Sequence, residues 1–417
     1  MWLLNTTTLE LEEFGDNDLP LYAILSHTWD VPSQEVTFVE IKRSREAIIN
    51  KTGFAKISNF CRLAREKGYR YGWVDTCCID KRNSADLSEA INSMYRYYYD
   101  SQDCLVYLSD TQPISDWESL SYGNFKDAIK SCRWFTRGWT LQELIAPRIR
   151  SFYDAKWQEI DNCYRVAAIS EITGINNTYL LWRDRIARVG ISERMSWASQ
   201  RHTTRSEDTA YSLMGIFNIC MPVLYGEGGK KAFRRLQKEI MRVSFDQSLF
   251  VWKEDVRSSG LLARSPTSFA NPPTLGLWAP RNLAPFYLTN VGLSVRLNIL
   301  DILDEDREWV PKDVLAINDA EYTEKVQMAI IGCDVLNTDN QWVLLALYIQ
   351  PIPGGSFVIN GKPSKAYRRV ACSTWTAVPE KALFHRTGPS KTSDALILED
   401  EHFELVHRAT REHDARS

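Results

Sequence analysis

Short apolar runs alternate with helix-like spacing of apolar residues along the first half of the chain. The apolar runs are typical of buried strands, and we predict strands near 22–26, 71–76, 104–108 and 149–153. Alternating strands and helices are typical of a parallel sheet that is covered on both faces. The first half is therefore predicted to be an α/β domain with a four- or five-stranded parallel sheet.

The segments between these strands predict amphipathic helices. One apolar stripe runs through 54–64 and stops before Gly68, and a second runs through 87–98. Asp86 with Glu89 predicts an N-cap pair for the second helix. A short helix is predicted at 139–145, and Pro147 ends it.

The pattern becomes helical from 165 to 245 and strand-rich after 260. Helices are predicted at 164–173, 192–200, 207–217 and 229–243, with a capping box at 204–207 that opens the third. Prolines at 266, 272, 273 and 280 then interrupt the chain, and strands are predicted at 326–331, 342–349 and 368–374. We predict residues 1–255 as the sheet domain with a helical extension, and 256–417 as a smaller β-rich domain.

Composition and charge exclude several classes of partner. The 417 residues are 44% hydrophobic and 25% charged, with a net charge of −3 and no basic block, so neither nucleic acid nor an anionic membrane is an expected partner. No apolar run approaches the roughly 20 residues of a membrane span. The acidic N-terminus is unlike a signal peptide, so we expect a cytoplasmic protein.

Cysteine and histidine spacing predicts neither disulfides nor a metal site. The nine cysteines are odd in number and scattered, and Cys77–Cys78 fits neither a redox pair nor a metal knuckle. The six histidines lack metal-ligand spacing. We therefore expect reduced cysteines and no bound metal.

Several stretches resemble one protein family closely. They are Tyr22–Trp29, Gly53–Ile57, Trp73–Lys81, Leu87–Met94, Arg137–Pro147, Met195–Ser199 and Arg205–Phe217. Together they resemble the fungal heterokaryon-incompatibility (HET) family. The resemblance implies self/non-self recognition in filamentous fungi, in which an activated domain kills the fused cell. It also implies self-association and protein partners from an incompatibility or immune pathway.

HET domains are in turn similar to Toll/interleukin-1 receptor (TIR) domains, which have a flavodoxin-like fold and of which some cleave NAD+. That similarity implies a TIR/flavodoxin-like parallel sheet with a helical extension. In enzymatic TIR domains the catalytic glutamate lies in a Trp-x-x-x-Glu-Leu motif, and its match is Glu143 in Trp139–Leu144. The resemblance therefore implies an NAD+ nucleosidase that takes NAD+ as substrate and requires no cofactor.

The carboxyl ends of the strands are where ligands bind in open α/β sheets. Polar and aromatic residues that emerge there, or precede Glu143, are the expected nucleotide-binding residues: Ser26, His27, Trp29, Asp75, Asp80, Lys81 and Trp139. The tryptophans could stack on a base and Lys81 could approach a phosphate.

Each of these residues also has a structural interpretation. Glu143 could be a surface carboxylate on a short helix, and Trp29, Trp73 and Trp139 could be core residues. His27 and Asp75 could serve only to end a strand by local hydrogen bonding. Two functional alternatives also stay open, namely a non-enzymatic signalling scaffold and a nucleotide sensor without turnover.

Overall fold

The structure, a computed structural model, describes residues 1–15, 17–43, 46–276, 286–290, 292–319, 324–337, 339–359, 362–378 and 392–399. The chain divides into two compact units, residues 1–187 with 200–232, and residues 188–199 with 233–417. This division differs from the predicted boundary at 255/256, which falls inside the second unit. The charged, histidine-rich tail and Pro280 lie outside the described residues.

A six-stranded sheet forms the centre of the first unit, in the order β2-β1-β4-β3-β5-β6. Its strands are β1 (Trp2–Asn5), β2 (Leu11–Glu13), β3 (Tyr22–His27), β4 (Tyr71–Trp73), β5 (Asp103–Tyr107) and β6 (Arg150–Tyr153). The last four pair in parallel, which confirms the four predicted strands. Numbered along the chain, these four lie in the order 2-1-3-4, as in flavodoxin-like doubly wound sheets.

The central strand β3 is buried at all six positions. An uninterrupted apolar run is what a parallel strand needs when both faces are covered. The other edge differs from the prediction, because β1 pairs antiparallel with both β2 and β4. Strands of three or four residues contain too few positions to show a period, so the sequence pattern did not reveal this hairpin.

The helices of the first unit are α1 (Phe38–Arg43), α2 (Thr52–Glu66), α3 (Ser84–Asp100), α4 (Tyr122–Ile129), α5 (Thr140–Ile145), α6 (Arg165–Thr173), α7 (Asn177–Leu181) and α9 (Asp208–Tyr211). α8 (Ile191–Ser196) belongs to the second unit, and α10 (Gly229–Val243) spans the division. The predicted helices are present, although the segment at 207–217 forms only α9 and a short 3₁₀ turn.

Both predicted helix caps were wrong. α3 begins one turn earlier than predicted, and the Asn83 side chain accepts the Ala85 N–H at 3.0 Å, so Asn83 is the N-cap instead of Asp86. Glu207 is the N-cap residue of α9, but its side chain makes no capping hydrogen bond to that helix. Its carboxylate instead accepts the N–H groups of Gly226 and Gly228. Both glycines have positive φ angles, which lets the chain turn back before α10 begins.

The second unit contains an eight-stranded sheet, in agreement with the predicted β-rich domain. Its strands are β7 (Ser258–Ser259), β8 (Tyr287–Leu288), β9 (Gly292–Asp301), β10 (Gln327–Leu336), β11 (Trp342–Ile359), β12 (Lys362–Val370), β13 (Thr376–Val378) and β14 (Thr392–Leu398). β11 pairs with both β10 and β12, so β11, β10, β9, β14 and β12 close into a ring. Apolar residues of this ring and of α11 (Lys312–Asp319) share a core that includes Val314, Met328 and Tyr348.

Candidate active site at the carboxyl ends of the strands

Glu143 lies within a buried hydrogen-bond network. The residue is only 6% exposed, and its Oε2 accepts the Ser26 hydroxyl at 2.5 Å. The Ser26 Oγ in turn accepts the Trp134 indole N–H at 2.7 Å. The Tyr98 hydroxyl also hydrogen-bonds the Glu143 carboxyl. The network therefore joins the end of β3 to α3, α5 and the turn that precedes α5.

The interpretation of Glu143 as a surface carboxylate is wrong. All six residues of α5 are buried, so this short helix has no solvent-facing side on which a glutamate could lie. A sequence pattern of six residues is shorter than two helical turns and cannot show which side faces the core.

Burial raises the pKa of Glu143 to about 8, and the negative charge of Asp75 acts in the same direction. Hydrogen bonds from Ser26 and Tyr98 and the positive charge of Arg201 act in the opposite direction. The Arg201 guanidinium is itself buried, which lowers its pKa to about 9. The Glu143 carboxyl is therefore mainly protonated at neutral pH in the unliganded protein.

The ionisation of Glu143 should make the stability of the folded protein depend on pH. Between about 4.5 and about 8 the folded state holds a proton that the unfolded state releases, so stability falls as pH rises through this window. Glutamine resembles the protonated acid and cannot ionise. We therefore expect Glu143→Gln to melt at a progressively higher temperature than the wild type as pH rises from 5 to 8.5. Thermal unfolding measures the difference, with exposed Glu66→Gln as the control that should show no such trend.

A second group of residues lies around Trp29, which is 45% exposed and therefore not a core residue. The Trp29 indole N–H donates to Asp75 Oδ2 at 2.7 Å, and the Lys81 ammonium lies 3.8 Å from the ring centroid. Burial lowers the pKa of Lys81, while Asp75 and Glu35 act to raise it. An aromatic ring, a carboxylate and an ammonium group thus lie together after β3 and β4.

His27 is the last residue of β3 and its side chain is 1% exposed. Its Nε2 lies 3.9 Å from Asp75 Oδ1. Burial lowers the pKa of His27 well below its usual value, and the nearby charges of Lys56 and Lys81 add to this effect, so the imidazole is neutral. Lys56 is neutralised by Glu35, whose Oε1 lies 2.7 Å from the ammonium.

Comparison with known proteins identifies the region that contains these strands. Residues 22–123 match the family model described as heterokaryon incompatibility protein (HET). Residues 22–123 therefore belong to a HET domain. The chain is 44% identical over 230 residues to the vegetative incompatibility protein HET-E-1 of Podospora anserina, a match that covers 55% of this chain and 17% of that relative. Residues 231–282 match a domain of unknown function, DUF8212, and no solved structure matches the chain.

The HET model covers β3, β4 and β5, together with Ser26, His27, Trp29, Asp75 and Lys81. It ends before α5, so Glu143 lies outside the matched residues. The contact between Glu143 and Ser26 nevertheless joins α5 to the matched strands.

Two predicted site residues have partners outside the Glu143 network. Asp80 receives two hydrogen bonds from the Arg82 guanidinium and one from its backbone N–H, which lower the pKa of Asp80 to about 2. Trp139 is half-buried, and its indole hydrogen-bonds Asp208. Of the three tryptophans that could have been core residues, only Trp73 is fully buried.

Five residues around the candidate site were not predicted as site residues: Glu35, Lys56, Tyr98, Trp134 and Arg201. In the sequence pattern, Lys56 and Tyr98 could be recognised only as members of predicted helices. Arg201 lies 58 positions after Glu143. One usable signal was Lys56, a charged residue within the apolar stripe of α2. Within the described ranges, no three His, Cys, Asp or Glu residues are arranged to hold a metal ion, and no helix is long and apolar enough to cross a membrane.

Proposed function

We propose that this HET-domain protein triggers cell death in heterokaryon incompatibility, and that it does so by hydrolysing NAD+ at the nicotinamide–ribose bond when it self-associates. Similarity to a vegetative incompatibility protein supports the first part. The second part rests on one observation, the buried Glu143 carboxyl beside the carboxyl end of β3. The flavodoxin-like order of the parallel strands is also compatible with a TIR-like domain.

The chemistry needs little beyond one carboxylate. The nicotinamide ring of NAD+ is a pyridinium, so it leaves as a neutral molecule with the electron pair of the C–N bond and requires no general acid. The ribose becomes oxocarbenium-like, and a carboxylate stabilises that positive charge. Water then adds to the anomeric carbon and releases a proton.

Glu143 must be ionised for this role. Its raised pKa means that only a minor fraction carries the charge at neutral pH before substrate binds. A bound pyridinium cation would favour the ionised form, because an opposite charge nearby lowers the pKa of a carboxyl group. The same buried environment would strengthen the attraction between the carboxylate and the developing cation.

Activity should therefore rise with pH. Because the ionised form is the active one, we expect kcat/KM for NAD+ to increase about tenfold per pH unit below the Glu143 pKa and to level off above about 8. NAD+ loss measured between pH 6 and 9, corrected for the reaction without protein, gives the profile. A flat profile, or one that falls with pH, would contradict a catalytic Glu143 carboxylate.

The direct test is NAD+ consumption by the purified full chain over a range of protein concentrations. The proposal expects the rate per molecule to increase with concentration, because self-association is part of the proposed activation. Cell killing without NAD+ loss would overturn the enzymatic part and favour a non-enzymatic scaffold of the same fold. NAD+ binding without turnover would favour a nucleotide sensor.

A further inference from the structure

Two polar atoms at the carboxyl ends of β3 and β4 face each other without a hydrogen bond. They are His27 Nε2 and Asp75 Oδ1, which lie 3.9 Å apart, and neither has a hydrogen-bond partner among the residues that the structure describes. Buried polar groups in folded proteins are nearly always paired, because an unpaired group loses its hydration without compensation. The two atoms therefore mark a place where a ligand group can bind.

The chemistry of the two atoms selects a hydroxyl group. Asp75 Oδ1 is an acceptor and needs a hydrogen from its partner. The single hydrogen of a hydroxyl then goes to Asp75 Oδ1, so the neutral imidazole of His27 pairs with the hydroxyl oxygen as the tautomer that donates its Nε2–H. An oxygen about 2.8 Å from each atom fits a separation of 3.9 Å.

The neighbouring residues hold Asp75 in a fixed orientation. The Trp29 indole N–H donates a hydrogen bond to Asp75 Oδ2 at 2.7 Å, which leaves Oδ1 directed towards His27. Lys81 lies against the Trp29 ring and attracts the Asp75 carboxylate electrostatically. The acceptor is therefore positioned before any ligand arrives.

The pair also lies close to Glu143. His27 directly follows Ser26, whose hydroxyl donates to Glu143, and the charge of Asp75 contributes to the environment of the Glu143 carboxyl. We propose that His27 and Asp75 together bind a hydroxyl group of the ribose whose bond to nicotinamide is broken, an inference that rests on the proposed function. They fix the sugar, and Glu143 stabilises the charge that develops on it.

The test measures binding in full-length Glu143→Gln, in which turnover does not interfere. Calorimetry compares NAD+ with analogues that lack the 2′- or the 3′-hydroxyl of the nicotinamide ribose. We expect one of these analogues to bind about tenfold more weakly than NAD+. In Glu143→Gln/His27→Phe, NAD+ should bind more weakly, and removal of that hydroxyl should cost less affinity than it does in Glu143→Gln, because only Asp75 still binds it. Reduced discrimination is a result that a purely structural role of His27 would not produce.

Two further variants keep the test decisive. Glu143→Gln/His202→Phe replaces an exposed histidine and should bind NAD+ and both analogues as Glu143→Gln does. If His27→Phe fails to fold, Asp75→Asn replaces it, because the asparagine oxygen still accepts the Trp29 indole N–H while the charged acceptor is lost.

The two hypotheses fail in different ways. If the wild type consumes NAD+ but the His27 and Asp75 variants keep full affinity and discrimination, the hydroxyl site is wrong and the proposed function stands. If the wild type does not consume NAD+ and Glu143→Gln does not bind it, the proposed function is wrong and this inference falls with it.

Discussion

Replacing Glu143 with glutamine is expected to reduce NAD+ cleavage by at least about 10², because the variant keeps the shape of the side chain but loses the charge that stabilises the oxocarbenium-like sugar. The variant should fold at neutral pH. The buried Ser26 hydroxyl can still donate to the amide oxygen of the new side chain. The measurement is NAD+ loss at pH 8, where the wild-type carboxyl is substantially ionised.

Glu66→Gln is the matched control for this experiment. Glu66 lies on α2 with its side chain 55% exposed, and it pairs with Arg62 one turn away. The control should keep wild-type activity and stability, since exposed substitutions usually change stability by less than about 0.5 kcal/mol. A folded Glu143→Gln protein that consumes NAD+ at the wild-type rate would exclude Glu143 as the catalytic residue. Cell killing at the wild-type rate by that variant would support the scaffold alternative.

The second large effect concerns Arg369 in the second unit, which we expect to be essential for the stability of that unit. Arg369 lies on β12 and is completely buried. Its guanidinium donates to the backbone carbonyls of Phe250 and Trp252, at 3.0 and 2.6 Å, and lies 3.8 Å from the Trp252 ring centroid. Burial lowers its pKa to about 10, so it is still charged at neutral pH.

Arg369→Ala should destabilise the second unit by about 3–5 kcal/mol, because it removes the guanidinium donor from the Trp252 carbonyl, removes one of the two donors to the Phe250 carbonyl and removes a large packed side chain. Chemical denaturation followed by tryptophan fluorescence measures the loss. Arg307→Ala is the control, since this arginine has a 45% exposed side chain and an ion pair with Asp304. Its loss should cost less than about 1 kcal/mol. An Arg369→Ala protein within 1 kcal/mol of the wild type would show that the second unit does not depend on this contact.

The position of Arg369 also explains why the sequence boundary at 255/256 differs from the structural division. Residues 247–252 follow a segment with a helical pattern in the sequence, yet they contact strands of the second unit. Arg369 contacts the carbonyls in this segment, and the Gly332 N–H donates to the Gln247 side chain at 2.7 Å. The pattern of secondary structure changes after 255, but the packing changes at 233.

The amino-acid sequence by itself determined the four parallel strands and the longer helices around them. Apolar runs located β3 to β6, helical spacing located α2, α3, α6 and α10, the family resemblance singled out Glu143, and the carboxyl ends of the strands indicated Ser26 and Asp75. These features are local, because burial of a strand on both faces or of one helix face requires a pattern within a few consecutive residues.

The tertiary structure alone decided how these elements meet. It paired the N-terminal hairpin with β4, placed residues 188–199 in the second unit, and buried Glu143 against Ser26 and Tyr98. The burial of a polar side chain depends on partners that are distant in the sequence, as Arg201 is from Glu143. A local pattern contains no information about those partners. The ionisation of Glu143 and the unpaired atoms of His27 and Asp75 could therefore be recognised only in the folded structure.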